Sequence, residues 1–277
     1  IEEFKRSLER IDIRFPGRFY LVSVLEIDDI SGMWKNQEDV ELWKFGIGNI
    51  AQEVLGEITQ AEITHLIFNG MEDRVISILN YDHKLERITD IKKYYEQVSS
   101  LISQHLGFTI SIGIGNPVTD MTEVSKSYRK ALAALEEKFL LGGSRVICYE
   151  EVDKVDSEAT FYRLDLNDQL LACLRKQQRE EIHQILKETH QNIVAKHLPT
   201  DYAYMMISGM MSICLSYITE MNGNISDIFG GGFSPYSELY KKTSLNECLA
   251  FLQDVFGKTM DAFQSNYSKR GAEIISM

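Results

Sequence analysis

Two pairs of carboxylates are the residues of this chain best suited to chemistry. Glu26 and Asp28 lie two positions apart in Leu25-Glu26-Ile27-Asp28-Asp29, at the end of an apolar run. Glu72 and Asp73 follow Gly70-Met71 in a short break between two further apolar runs. Hard oxygen ligands of this kind suit Mg²⁺, which takes one or two carboxylates and leaves its other positions to water or nucleotide phosphates. If folding brings the strand end and the turn together, four carboxylates converge. The plainer reading is favoured: charged residues at strand ends and turns are usually solvated.

Other constellations are weaker. Gly46-Ile47-Gly48-Asn49-Ile50-Ala51 fits the dinucleotide pattern G-x-G-x-x-A, but that pattern needs a buried strand just before it. Here Val40-Glu41-Leu42-Trp43-Lys44-Phe45 precedes it and continues a helical spacing. Gly230-Gly231-Gly232 has no preceding strand and no following Lys-Ser/Thr, so it reads as a loop. His183, His190 and His197 recur every seven residues. Neighbours in that series are about 10.5 Å apart on a helix, too far to share a metal. Cys148, Cys173, Cys214 and Cys248 form no C-x-x-C pair, so neither zinc nor redox chemistry is signalled, and a reducing, cytoplasmic setting is expected. No metal, cofactor or catalytic residue is assigned.

The 277 residues carry a net charge of −12, with 44% hydrophobic and 25% charged residues. Such a chain does not grip nucleic acid by itself, because phosphate binding needs clustered Lys and Arg. Tyr202 to Thr219 is free of charge and reaches the length of a spanning helix. Ser208, Ser212, Ser216 and Thr219 interrupt it and no basic cluster flanks it. It is expected to be a buried central helix, with the serines forming a face for close helix approach and Met205, Met206, Met210 and Met211 packing in the core. No membrane contact is expected.

The elements that must position these residues follow from periodicity. Residues 1–15 read as a lead-in helix with Leu8, Ile11 and Phe15 on one face, ended by Pro16-Gly17. Phe19 to Ile27 is a buried strand, Val40 to Ile58 a helix, and Glu62 to Asn69 with Arg74 to Tyr81 a hairpin. Thr89 to Leu106 is a helix, Thr109 to Gly115 a strand, Met121 to Leu141 a helix, and Arg145 to Tyr149 a last strand. That order is β-α-β-β-α-β with an added helix and edge strand, a ferredoxin-like α+β pattern with an antiparallel sheet and helices on one face. From about Asp153 only helical spacing remains: 166–176, 179–197, 202–221 and 245–268, with a loop at 222–237. The expected division is a lead-in segment 1–16, a sheet domain 17–152 and an all-α domain 153–277.

The stretch Phe108 to Tyr149 resembles the closing half of a GGDEF-type, nucleotide-cyclase-like domain. The resemblance implies that Glu26 and Asp28 occupy its metal-holding strand end, and that Gly70-Met71-Glu72-Asp73-Arg74 occupies its signature hairpin. There the sequence departs: Met71 replaces the second glycine, Glu72-Asp73 inverts the acidic order, and Arg74 replaces Phe. The family's Phe-Lys and Asn-Asp elements are not recognisable in Ile30 to Asp39. No Arg-x-x-Asp inhibitory site occurs in Thr64 to Asn69. A degenerate site without cyclase activity is the resulting expectation.

Over nearly its whole length the chain is similar to the middle region of YesN-like, AraC-type bacterial transcription regulators. The similarity rests on Leu25 to Asp28, Asn49 to Glu53, Ser111 to Gly113, Ser127 to Leu132, Pro235 to Leu239, Thr243 to Glu247 and Lys269 to Ile275. It implies a helix-turn-helix DNA-binding domain after Met277, an upstream receiver domain or membrane sensor, and a homodimer. The chain starts without Met and in helical character, which reads as a segment of a longer protein. Signal relay is therefore expected. Two alternatives stand: a divergent diguanylate cyclase using Glu26, Asp28, Glu72 and Asp73 with Mg²⁺ and GTP, and a small-molecule or nucleotide sensor.

Overall fold

A computed structural model describes residues 15–28, 37–58, 64–82, 88–152, 164–196 and 198–275. The chain forms two compact units, Ile1–Val155 and Asp156–Met277. The lead-in helix expected over 1–15 lies, but for Phe15, outside the described residues.

The first unit is α+β. In order come β1 (Phe19–Ile27), α1 (Gln37–Ile58), β2 (Thr64–Asn69), β3 (Arg74–Tyr81), α2 (Ile88–Leu106) and β4 (Ile110–Ile114). A 3₁₀ turn (Met121–Glu123), α3 (Val124–Glu136), α4 (Lys138–Leu141), β5 (Val146–Cys148) and α5 (Tyr149–Val152) follow. The helix expected over 121–141 is thus three pieces. The sheet order is β2-β3-β1-β4-β5. β1 pairs antiparallel with β3 and with β4, and β2 pairs antiparallel with β3.

Two expectations need correction. The sheet is mixed, because β5 runs parallel to β4, with Ile112 opposite Val146. A parallel neighbour needs a crossover, and α3 with α4 provides it. The helices also cover both faces. Leu21, Leu25 and Ile27 of β1 pack in one core with Ile47, Leu55 and Tyr95 of α1 and α2. Val24 points the other way, into a cluster with Ala131 and Leu135 of α3. Side chains alternate along a strand, so a central strand covered on both sides reads as a nearly unbroken apolar run. That is why Phe19 to Ile27 shows no polar face.

α3 lies close to the sheet. The backbone N–H of Val22 donates to Ser127 Oγ at 3.0 Å. A Cβ on Gly113 would stand 2.1 Å from the carbonyl oxygen of Ala131, and one on Gly115 2.1 Å from that of Ser127.

The second unit is all helical: α6 (Leu164–Arg175), α7 (Arg179–Ala195), α8 (Thr200–Glu220), α9 (Ile225–Phe229), α10 (Pro235–Tyr240) and α11 (Leu245–Ile275). The glycine-rich loop expected at 222–237 contains α9, capped by Asn224 Oδ1 accepting from the Ser226 N–H at 3.0 Å. It also contains the start of α10, where Pro235 takes the first turn, a position that wants no N–H. α8 is long and apolar enough to cross a membrane by length and composition. Here it packs against α6 and α11 and buries Ala203, Ile207, Met210, Met211, Cys214, Tyr217 and Ile218. That stripe fills the i, i+3/i+4 positions. Ser212 and Ser216 are exposed, so the serines are not the packing face, and Met205 also lies outside the core. The charge-free run comes from core residues interleaved with small polar ones.

Candidate functional site

β1 carries Glu26 and Asp28 to one end of the sheet, on the side of α3 and α4. The hairpin turn lies beside it. The Gly70 N–H donates to the Arg74 carbonyl at 2.8 Å and the Arg74 N–H to the Met71 carbonyl at 3.3 Å. Glu72 sits at φ 55° in this turn. The left-handed region is uncommon for a residue other than glycine. Glu72 is exposed, and Met71 is 85% exposed. Lys44 of α1, almost fully buried, donates to the Gly70 carbonyl at 3.3 Å and pairs with Glu41 at 2.5 Å.

Glu26 and Asp73 come together at the centre, each only 8% exposed. This corrects the expectation of solvated acids for these two. The four carboxylates do not converge. Register places Arg74 directly opposite Glu26, and Arg74 Nε donates to Glu26 Oε2 at 2.5 Å. Lys138, the first residue of α4, donates to the other oxygen, Oε1. Burial pushes the Glu26 carboxyl up, but the hydrogen bonds and charges of Lys138 and Arg74 prevail and hold it below its ordinary value. Both oxygens that would face a metal are thus occupied by cations of the same chain.

Asp28 is tied down separately. Ser111 Oγ donates to its Oδ1 at 2.5 Å and the Ser144 N–H to its Oδ2 at 2.7 Å. A Cβ at Gly143 would stand 2.9 Å from the Asp28 carboxyl carbon. The Lys138 ammonium lies 4.0 Å from Asp28 Oδ1. Among the described residues, no three of His, Cys, Asp and Glu are grouped as a metal would need. His183 and His190 lie on α7, while His197 is outside the described residues. Gly46 and Gly48 lie within α1, so the dinucleotide pattern is a helical segment, as expected. The part of Ile30 to Asp39 before Gln37 is outside the described residues.

Asp73 is the strained member. Burial first, and then the neighbouring Glu26 charge, raise its carboxyl above the ordinary 3.8. A group whose folded value is raised costs stability once it is ionised, and that cost vanishes below its unfolded value. Asp73→Asn is therefore expected to raise the urea midpoint of the first unit at pH 7. The gain should be absent below about pH 3.8, the ordinary value. A variant equally stabilised at both pH values would show that the charge of Asp73 is not the cause.

Sequence reasoning missed Lys138, Ser111 and Ser144. Lys138 is 112 positions from Glu26 and nothing local marks it. Arg74 was visible, but as a departure from a signature rather than as a partner. Its cross-strand position opposite Glu26 was readable only once β1 was known to pair with β3.

The chain is 19% identical over 190 residues to the uncharacterized HTH-type transcriptional regulator YtdP of Bacillus subtilis (strain 168), a match over 67% of this chain. The chain spans about a quarter of that relative, 24% of its length. A solved structure that resembles it is the active GGEEF domain of a diguanylate cyclase from Vibrio cholerae. The TM-score is 0.39 at 13% identity, over 53% of this chain and 92% of that one. A family model described as GGDEF-like domain matches residues 1–136.

Proposed function

We propose that this chain is a non-catalytic relay region of an AraC-type transcription regulator. Its GGDEF-like unit would connect an upstream input to a DNA-binding domain outside this chain. One observation carries the reading: Glu26 is held by Arg74 and Lys138, and Asp28 by Ser111 and Ser144. The carboxylates that could have held Mg²⁺ serve instead to clamp the end of β1 to the segment 138–144. That segment leads along the chain into β5 and onward to the second unit. A Mg²⁺–nucleotide would have to displace two cations and two hydrogen bonds to enter. Relay requires an element with two arrangements that both ends can bias, and a clamp on the exit segment is suited to that.

The regulator setting draws on the matched relative, whose name describes an HTH-type transcriptional regulator. A homodimer, a receiver or sensor input and a cytoplasmic location belong to the same proposal. Calorimetric titration of the purified chain with GTP and cyclic di-GMP, Mg²⁺ present, is expected to give no heat. Incubation with GTP and Mg²⁺ or Mn²⁺ is expected to give no product. Turnover that Asp73→Ala abolishes would establish the cyclase alternative instead.

Ligand sensing is a second reading, favoured by a cleft of about 640 Å³ between α2 and β5. Ser99, Ser103, Gln104, Arg145 and the Lys92–Glu151 pair line it. Its hydrogen-bonding walls suit a polar small molecule, and a thermal-shift panel would reveal one, because a ligand that prefers the folded state raises its stability.

A further inference from the structure

The cleft between α2 and β5 runs along a strand edge. Arg145, Val146 and Ile147 all line it. Successive side chains of a strand point to opposite faces, so a cleft that meets three in a row borders the strand's edge and not one face of the sheet. β5 ends the sheet, with β4 as its neighbour. The Ile112 N–H donates to the Arg145 carbonyl at 2.7 Å, and Ile112 stands opposite Val146. In a parallel ladder a residue bonds to those before and after its partner, so the N–H and carbonyl of Val146 point away from β4. The Val146 side chain meanwhile packs against the main core.

We propose that this cleft binds a short extended peptide of no net charge, added as a strand to the edge of β5. The proposal rests on the ligand-sensing reading of the cleft and names the class of ligand. Three observations select a peptide. The outward N–H and carbonyl of Val146 are a donor and an acceptor on one residue, the set that the backbone of an added strand complements. The charges of the walls balance: Lys92 and Arg145 stand against Glu96 and Glu151, and Lys92 already pairs with Glu151 at 2.7 Å. A strongly charged ligand would gain nothing there that it does not lose.

The third observation is the shape of the facing wall. Lys92, Glu96, Ser99 and Ser103 of α2 line the cleft and recur at i, i+4, i+7 and i+11, one face of a helix. That row is about 16 Å long at 1.5 Å per residue, the span of about five residues of strand. Alternate side chains of the added strand would meet its hydroxyls, which suits threonine or serine at every second position. The volume of about 640 Å³ lies in the range of about 300–1,000 Å³ for ligand sites. Ser144, whose N–H holds Asp28 at 2.7 Å, lines the same cleft. An occupant therefore touches the segment that clamps β1, which gives binding a route to the relay.

The test uses the full 277-residue chain and one probe, a pentapeptide of alternating threonine and valine with both ends blocked. Calorimetric titration is expected to show binding at one site. N-methylation of one alternate set of its residues should abolish binding, and methylation of the other set should not, because only every second N–H of a strand faces its neighbour. Val146→Pro removes the outward N–H at the first residue of an edge strand, where proline is tolerated, and should weaken binding about tenfold or more. Val146→Ala keeps that N–H and should bind as the wild type does. Equal effects of the two methylated sets would overturn strand addition, even if Val146→Pro failed to fold. A cleft-binding compound from the thermal-shift panel, with no binding of the probe, would overturn the peptide and leave ligand sensing standing; silence from both would remove both. A wild-type dimer by sedimentation that Val146→Pro converts to monomer would assign the edge to a second copy and overturn the proposal.

Discussion

Gly113→Ala is expected to cost the first unit about 3 kcal/mol or more, the upper end of what overpacking does. The added methyl would lie 2.1 Å from the Ala131 carbonyl oxygen and 2.9 Å from both the backbone nitrogen and Cβ of Leu135. None of those atoms ends a flexible side chain, so relief requires α3 to lift off β1 and β4. Lifting it opens the Val24–Ala131–Leu135 cluster and pulls Ser127 Oγ from the Val22 N–H. Domains hold only about 5–15 kcal/mol in total, so the variant should unfold at a much lower urea concentration. Gly56→Ala is the control: its Cβ would meet nothing within 4 Å, and a helical Gly→Ala change stabilises by about 0.5–1 kcal/mol. An unchanged midpoint for Gly113→Ala would mean that α3 does not sit on the sheet as described.

Lys138→Met should destabilise the same unit by about 3 kcal/mol at neutral pH, the lower end for breaking a buried pair. It leaves Glu26, with a side chain only 10% exposed, on Arg74 alone. Glu26→Gln should cost less, because the freed Lys138 and Arg74 side chains are 19% and 33% exposed and regain water. The double variant should cost less than the sum of the two. The pH dependence has a definite sign. Glu26 has a lowered folded pKa, so its contribution is complete above the ordinary 4.5 and fades as pH falls through the lower folded value. The gap between wild type and Lys138→Met should therefore be full at pH 7 and narrow on acidification below about pH 4. A gap that stays constant down to pH 3 would assign the effect of Lys138 to its hydrocarbon stem rather than its charge.

Much of the first unit was legible because local rules and the fold agreed there. The hairpin at Gly70 to Arg74 announced itself as two apolar runs around a short polar break. β1 announced itself as an unbroken apolar run. What such a run cannot say is which helix lies on which face: Leu21 and Val24 look alike, yet they enter different cores. The parallel partner of β4 was equally silent, since three residues, Val146 to Cys148, carry no sign of strand direction. In the second unit Ser208, Ser212 and Ser216 gave a period of four, but helical burial followed Ala203, Ile207, Met210 and Cys214 instead.

The candidate site divides along the same line. The sequence by itself determined which carboxylates were available, that Gly70 opens a turn, and that the hairpin departs at Met71 and Arg74 from the GGDEF-type signature it resembles. Only the tertiary structure decided what those carboxylates do. Glu26 is an anion whose role depends on the charge opposite it, and that charge comes from Arg74 across a strand pair and from Lys138 at the far end of the domain. Coulomb interactions depend on distance in space, and a chain of this length leaves that distance unspecified until the sheet has closed and α4 has been laid against the end of β1.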